Sequence, residues 1–329
     1  MSSDNWKPSA SISTLQERAR LFGRVRQYFD EQEVMEVDTP MLSANATVDL
    51  HINSFVTSFL PMGGGKEQSC YLHTSPEFPM KRLLASGCGD IYSLGRVFRN
   101  GEAGGRHNPE FTMLEYYRLG MGQHQLMDDM TALLSSVAGF QEVGRVSYGA
   151  AFQKRLGLNP HTASHAELTA LVKEHVDKDL DGLERNDCLD LLFSNMIEPE
   201  LGISEVGDLN GVYVYDYPAS MAALSRLHTN DRGEQVAARF ELFVNGVELA
   251  NGYHELTDAE EQQARFEAEQ NKRKEQGLPV YPYDHQLVEG LKSGMPDCAG
   301  VAMGVDRLLM LMLNKKQIAD VVAFDFFRA

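Results

Sequence analysis

Apolar residues at positions 15, 21, 22, 25, 28 and 29 recur at helical spacing and predict an amphipathic helix over Leu15–Phe29. Thr14 and Glu17 have the spacing of a capping box at its start. Val34–Val37 reads as a short strand running to Pro40, which must end it or lie at an edge. The glycine run between Pro61 and Lys66 is a turn or flexible loop, and a helix is expected over Pro76–Ala85. Ile91–Arg99 and Phe111–Arg118 read as two strands of a long-looped hairpin, with the glycine-rich stretch 100–109 between them. Residues 123–195 are mostly helical in pattern, and Ser164 with Glu167 fits a capping box. Strands follow over Gly211–Tyr217 and Arg239–Val244. Asn245-Gly246 then predicts a two-residue turn, because both its central residues need positive φ, and Val247–Ala250 is the return strand. Thr257 with Glu260 is a candidate cap for a charged helix through Lys274, and Val305–Leu313 is an apolar helix after Gly300–Gly304. Antiparallel strands and helices in separate runs point to an α+β fold with a mainly antiparallel sheet.

Strand alternation places the polar residues. Phe111, Met113, Glu115 and Tyr117 share one face, so Glu115 sits in an aromatic row and must be paired structurally or bound to a cation. A regular two-residue hairpin sets Val244 opposite Val247, Phe243 opposite Glu248 and Glu241 opposite Ala250. Glu241 and Glu248 then share a face as diagonal neighbours. Two such acids are either solvated on a wet face or joined by a cation, and magnesium held with substrate phosphates is one solution. Arg99 ends the first hairpin strand, Arg106 and His107 lie in its loop, and Arg307 begins the last apolar helix. The arginine fork binds two phosphate oxygens at once and stacks on purine rings. Each of these arginines alone is equally an ordinary surface charge. Neither a P-loop nor a G-x-G-x-x-G run is present, so a nucleotide site here is of another type.

Composition narrows the class. With 30 Lys+Arg against 47 Asp+Glu the formal charge is −17, which argues against a general polyanion binder and for small-molecule or protein partners. Ten acids and three bases between Glu167 and Glu200 account for −7 of it, read as a solvated helical face. Cys70, Cys88, Cys188 and Cys298 fit no C-x-x-C or zinc spacing and read as free thiols. The amino-terminal stretch MSSDNWKPSAS has no charged start followed by an apolar run, so no signal peptide is expected. Leu308–Leu313 is the longest strongly apolar run, too short to span a bilayer. A cytoplasmic protein without membrane contact is expected. The 329 residues suggest about two domains or one large one.

Three segments in this order resemble the catalytic core of the class II aminoacyl-tRNA synthetases. They are the first helix and strand up to Pro40, the run Phe98-Arg99-Asn100 through His107 to Thr112, and Gly304-Val305-Asp306-Arg307. The stretches HNPEFTMLEYY (107–117) and ELANGYHELTD (248–258) are similar to lysyl-tRNA synthetase. Only about a dozen residues precede the first helix, so no anticodon-binding domain is expected, and in this the chain looks like the short paralogues of lysyl-tRNA synthetase. The resemblance covers nearly the whole chain. It implies a single class II catalytic domain over residues 1–329, with a six-stranded, mainly antiparallel sheet flanked by helices and a helical elaboration at about 123–195. It implies ATP and Mg2+ as cofactors, activation of (R)-β-lysine as an adenylate, and transfer to a lysine of translation elongation factor P. It also implies a homodimer built around residues 15–40 and no stable tRNA binding.

Carried over residue by residue, the resemblance gives Arg99 the α-phosphate and the charge that grows during adenylate formation. Phe111 and Arg307 sandwich the adenine, Arg106 and His107 approach the distal phosphates, and Glu102 and Asn108 complete the nucleotide set. Glu241 and Glu248 hold magnesium. Glu77 takes the amino group next to the reacting end, while Glu115, Tyr117, Asn251 and Glu255 surround the distal ammonium. The chain departs from the family twice. Gly101 stands where a glutamate usually follows Asn100, with the acid one place later at Glu102, and the sequence leaves open whether Glu102 reaches the nucleotide. Ala302 stands where lysyl-tRNA synthetases have glycine; it reads as reshaping the amino-acid pocket towards the β-amino isomer, or as packing variation. Three other readings compete: α-lysine activation for tRNA, an amide-forming core such as asparagine synthetase, and a catalytically silent regulatory subunit. An acidic pocket speaks against an acidic substrate, and the retained arginines speak against silence.

Overall fold

The computed structural model describes residues 6–205 and 208–329. The first five residues of the amino-terminal stretch lie outside the described residues. The chain groups into two units, Met1–Gly120 with Thr257–Cys298 and Ala302–Ala329, and Met121–Leu256 with Ala299–Val301.

The first unit opens with α1 (Ile12–Glu31). Its cap is Ser11, in extended backbone, whose hydroxyl accepts from the Thr14 N–H; Thr14 itself lies inside the helix, three residues beyond the true start. β1 (Met35–Glu36), β2 (Leu42–Ser43), β3 (Val56–Phe59), β4 (Gln68–Leu72), α2 (Glu77–Ala85), β5 (Ile91–Phe98) and β6 (Glu110–Leu119) follow. β5 and β6 form the expected antiparallel hairpin, with Ser93 opposite Glu115 and Val97 opposite Phe111. β1 runs parallel to β5, and β2–β4–β3 make a separate three-stranded sheet. Phe29 of α1 stacks on Tyr92 with centroids 4.3 Å apart, which buries the apolar face of α1 against β5.

The second unit contains α3 (Gln123–Ala138), β7 (Val143–Ser147), α4 (Tyr148–Leu156), α5 (His165–His175) and α6 (Arg185–Leu192), then β8 (Gly211–Pro218), β9 (Leu227–Thr229), β10 (Gln235–Val244) and β11 (Val247–His254). The Ser164–Glu167 capping box is formed at α5. β10 pairs antiparallel with β8, β9 and β11, while β7 runs parallel to β8. Asn245 and Gly246 turn the β10–β11 hairpin at φ 50° and 65°, as their types require. Tyr148, Phe152, Phe193, Tyr217 and Phe243 pack as an aromatic core, Tyr148 stacking on Phe193 at 5.2 Å.

The chain returns to the first unit with α7 (Ala259–Glu275), capped by Asp258 and not Thr257, because the Asp258 carboxylate accepts from both the Glu260 and Glu261 N–H groups at 2.9 Å. α8 (His285–Lys292), β12 (Cys298–Gly304) and α9 (Val305–Met312) complete it, residues 299–301 of β12 grouping with the second unit. The architecture is α+β with mainly antiparallel pairing. Among the described residues it has twelve strands and not six, because β2, β3, β4 and β9 are only two to five residues long, β7 falls within the expected helical stretch, and β12 consists largely of small residues. All four cysteines are free. No helix among the described residues is long and apolar enough to cross a membrane.

Candidate active site

In the first unit, the β6 alternation puts Glu115 and Tyr117 on one face. The Tyr117 hydroxyl donates to Glu115 Oε1 and the Ser75 hydroxyl to Oε2, each at 2.7 Å. Glu115 is 2% exposed. Burial pushes its carboxyl up to about 7, helped by the nearby charge of Glu77 and opposed by the two hydroxyls and Lys81. Ser75 also accepts from the Glu77 N–H at 2.9 Å, just ahead of α2, whose cap position is Pro76. One turn later, buried Lys81 donates to Glu77 Oε1 at 2.6 Å. The structure thus brings Glu77, Glu115 and Tyr117 together around Ser75, with Lys81 as an internal counter-charge.

Arg99 follows β5. Its guanidinium lies 5.3 Å over the Phe111 ring, and Nη1 is 3.8 Å from Glu102, so the acid displaced by one place still reaches this arginine. Gly101 makes that geometry possible: its φ is +91°, a backbone region that residues with a side chain rarely adopt. Arg99 Nε is buried without a hydrogen-bond partner. Arg307, at the start of α9, has Nη2 2.7 Å from His107 Nε2. Burial and the Arg307 charge lower the His107 pKa, which favours the neutral ring as acceptor. Arg106 is exposed in the same loop. The Asn108 amide is committed at both ends, donating to Glu110 O at 2.6 Å and accepting from the Phe326 N–H at 2.9 Å. On β12, Gly300, Ala302 and Gly304 alternate with Val301 and Met303, and Ala302 is half-buried.

In the second unit, Asn251, not Ala250, stands opposite Glu241, while Glu248 stands opposite Phe243 as expected. The reason is a bulge: Leu249 is an extra residue on β11, so the regular count fails beyond it. Glu241 and Glu248 keep a common face across it, and Asn251 joins them. Glu241 accepts from the Tyr217 hydroxyl at 2.7 Å and from Arg239 at 2.5 Å. Burial is the largest single influence on the Arg239 pKa and lowers it, but the Glu241 charge, Tyr253, Tyr217 and the hydrogen bond to Glu241 together outweigh it and raise the pKa. Asn251 Oδ1 is buried without a partner. Glu255 is 1% exposed, its backbone bridged to Ser225 and its carbonyl accepting from Arg226 at 3.1 Å.

A family model described as class II tRNA synthetases (D, K and N) matches residues 5–327. The chain belongs to this family. It is 46% identical to the elongation factor P–(R)-β-lysine ligase of Vibrio cholerae serotype O1 over 331 residues, covering all of both chains. It is 45% identical to the protein of that name from Salmonella arizonae, with 98% of each chain covered. The identity to its namesake in Mannheimia succiniciproducens is 44%, with 97% of each covered.

Around the candidate residues of this class II synthetase stand several that the sequence reading did not single out. Lys81 lies four places after Glu77 on an expected helix, a spacing that brings the two side chains together. Arg239 lies two places before Glu241 on an expected strand, hence on the same face. Ser75 and Tyr217 left no such signal.

Proposed function

We propose that this protein is a ligase that activates (R)-β-lysine with ATP and transfers it to a lysine side chain of translation elongation factor P. The substrate carboxylate attacks the α-phosphorus of ATP, forming the adenylate and releasing pyrophosphate. The acceptor lysine amine then attacks the mixed anhydride, forming the amide and releasing AMP. Supporting this reading is near-full-length identity to three proteins named for that activity.

The observation that carries the chemistry is the polarity of the unpaired buried atoms. Arg99 Nε is a cationic donor lacking an acceptor, and Asn251 Oδ1 is an acceptor lacking a donor. The first suits a phosphate oxygen and the second an ammonium. Arg99 binds the α-phosphate and stabilises the charge that grows there. Phe111 and Arg307 take the adenine, while Glu102, Arg106, His107 and Asn108 order the loop around the phosphates. Glu77 takes the amino group near the reacting end; Glu115, Tyr117, Asn251 and Glu255 hold the distal ammonium. Among the described residues, no group of three or more His, Cys, Asp or Glu side chains would hold a metal unaided. The oxygen donors of Glu241 and Glu248, on one face, fit magnesium shared with phosphates. A magnesium ion there would neutralise phosphate charge. The protein's own part is to position and to stabilise charge, without a covalent enzyme intermediate.

We further assign a single catalytic domain, a cytoplasmic location and a homodimer through residues 15–40, where Met35 is 47% exposed; sedimentation as a monomer at micromolar concentration would refute the dimer. The central test is mass spectrometry of elongation factor P after incubation with the protein, ATP and β-lysine. A gain of one β-lysyl group on one lysine is expected. Unmodified factor alongside robust lysyl-tRNA formation would overturn the proposal.

A further inference from the structure

Arg273, in the last turn of α7, is 0% exposed. A guanidinium taken out of water must have its donors matched. Here Nε donates to Pro279 O at 2.7 Å, Nη1 to Asp49 O at 2.6 Å and Nη2 to Asn53 Oδ1 at 2.7 Å. The Tyr281 ring lies 4.7 Å beneath it. The Leu50 and Ile52 carbonyls also accept from Nη1, at 3.4 Å, so the partners of this cation are four backbone carbonyls, one side-chain amide and a ring. Asp49, Leu50, Ile52 and Asn53 belong to a segment with no helix or strand of its own.

That segment does not end in a passive loop. The Asn53 carbonyl accepts from the Asn100 N–H at 2.8 Å. Asn100 directly follows Arg99, whose own N–H donates to Pro109 O at 2.9 Å, while the Phe98 N–H donates to His73 O at 3.0 Å. The backbone around Arg99 is held at three points, and one of them traces through Asn53 to Arg273. The Arg99 side chain has few contacts of its own to aim it: Nε is unpaired, Nη1 is 3.8 Å from Glu102, and the guanidinium lies 5.3 Å over the Phe111 ring. Where its guanidinium stands is set by where its backbone stands.

We infer that Arg273, acting through Asn53, is a positioning residue for Arg99. The inference rests on the reading of Arg99 as the α-phosphate ligand. Catalysis that depends on aim is sensitive to small displacements, since a shift of about 1 Å can cost about a hundredfold in rate.

The test is ATP–pyrophosphate exchange by Asn53→Ala, well below its melting temperature, with kcat and the KM values for ATP and β-lysine determined separately. A loss in kcat or a rise in the KM for ATP of about tenfold to a hundredfold is expected, with the KM for β-lysine unchanged. Asn53→Asp, which returns an acceptor to Arg273, should recover most of the loss. Arg273→Lys, which keeps the charge but not the fork, is the second variant and should show the same split. Exchange kinetics within twofold of the parent, with only a lower melting temperature, would make Arg273 a clamp of the 49–53 segment and overturn the inference. Arg99→Ala is measured alongside. If it retains exchange, the phosphate reading falls and the inference with it; if it abolishes exchange while Asn53→Ala does not, only the inference falls.

Discussion

Arg18 on α1 and Asp306 in the first turn of α9 form a buried ion pair, although 288 residues of sequence separate them. Thr112 of β6 completes the group: its hydroxyl accepts from Arg18 at 2.7 Å and its N–H donates to the second Asp306 oxygen at 2.9 Å. The three segments whose motifs mark the family thus meet at one pair of charges. Asp306 also stands in the first turn of its helix, where a negative charge is favoured. Removing one member of a buried pair strands the other, at a cost of about 3–5 kcal/mol. Asp306→Ala should lose stability on that scale in urea denaturation. A loss below about 1 kcal/mol would mean that water or another acid rescues Arg18.

Gly101 is the departure from the family that the structure explains best. Its φ of +91° is open to glycine, and a Cβ there would meet no atom within 4 Å, so any cost of substitution is backbone strain alone. Restoring the family's usual residue with Gly101→Glu should therefore not improve the enzyme. It should destabilise the loop by about 1–2 kcal/mol and raise the KM for ATP. Thermal denaturation with exchange kinetics checks both; a lower KM for ATP would contradict the account.

Ala302 lies on the small-residue face of β12, between Gly300 and Gly304. A single methyl in a substrate pocket is worth about 1–3 kcal/mol of discrimination. Ala302→Gly should shift the ratio of exchange with α-lysine to exchange with β-lysine by about tenfold or more towards α-lysine. Parallel exchange assays with the two substrates measure this directly. An unchanged ratio would leave Ala302 as packing only.

Much of this was legible in the sequence because local chemistry dictated it. Asn245-Gly246 could make only one kind of hairpin turn, and strand alternation alone put Glu115 beside Tyr117. The rest depended on contacts that no local pattern encodes. Leu249 is an ordinary apolar residue, yet as a bulge it exchanged Ala250 for Asn251 opposite Glu241. β12 reads as a glycine-bearing approach to a helix, since small residues leave no alternation to see. Ser75 reaches Glu115 across 40 residues, and Arg273 reaches Asn53 across 220. Pairings at that range are set by the tertiary fold.

Glu115 makes the strongest prediction about pH. Its carboxyl titrates near 7 in the folded protein, chiefly because it is buried and secondarily because Glu77 is close. An unfolded glutamate titrates near 4.3, so between those values the folded state holds a proton that the unfolded state has lost. The sign follows: this group's stabilising contribution is fully present below about pH 4.3 and is lost as pH rises through about 7. Binding an ammonium reverses the preference, since a positive neighbour favours the carboxylate. β-Lysine binding below about pH 7 should therefore release a proton, and affinity should rise with pH until the carboxyl is already ionised. Titration calorimetry at about pH 6, in two buffers of different ionisation enthalpy, counts that proton. Release approaching one proton is expected for the parent and little for Glu115→Gln, which should also flatten the unfolding free energy between about pH 5 and 8. Equal proton release by both proteins would place the titrating group elsewhere and remove Glu115 from the ammonium pocket.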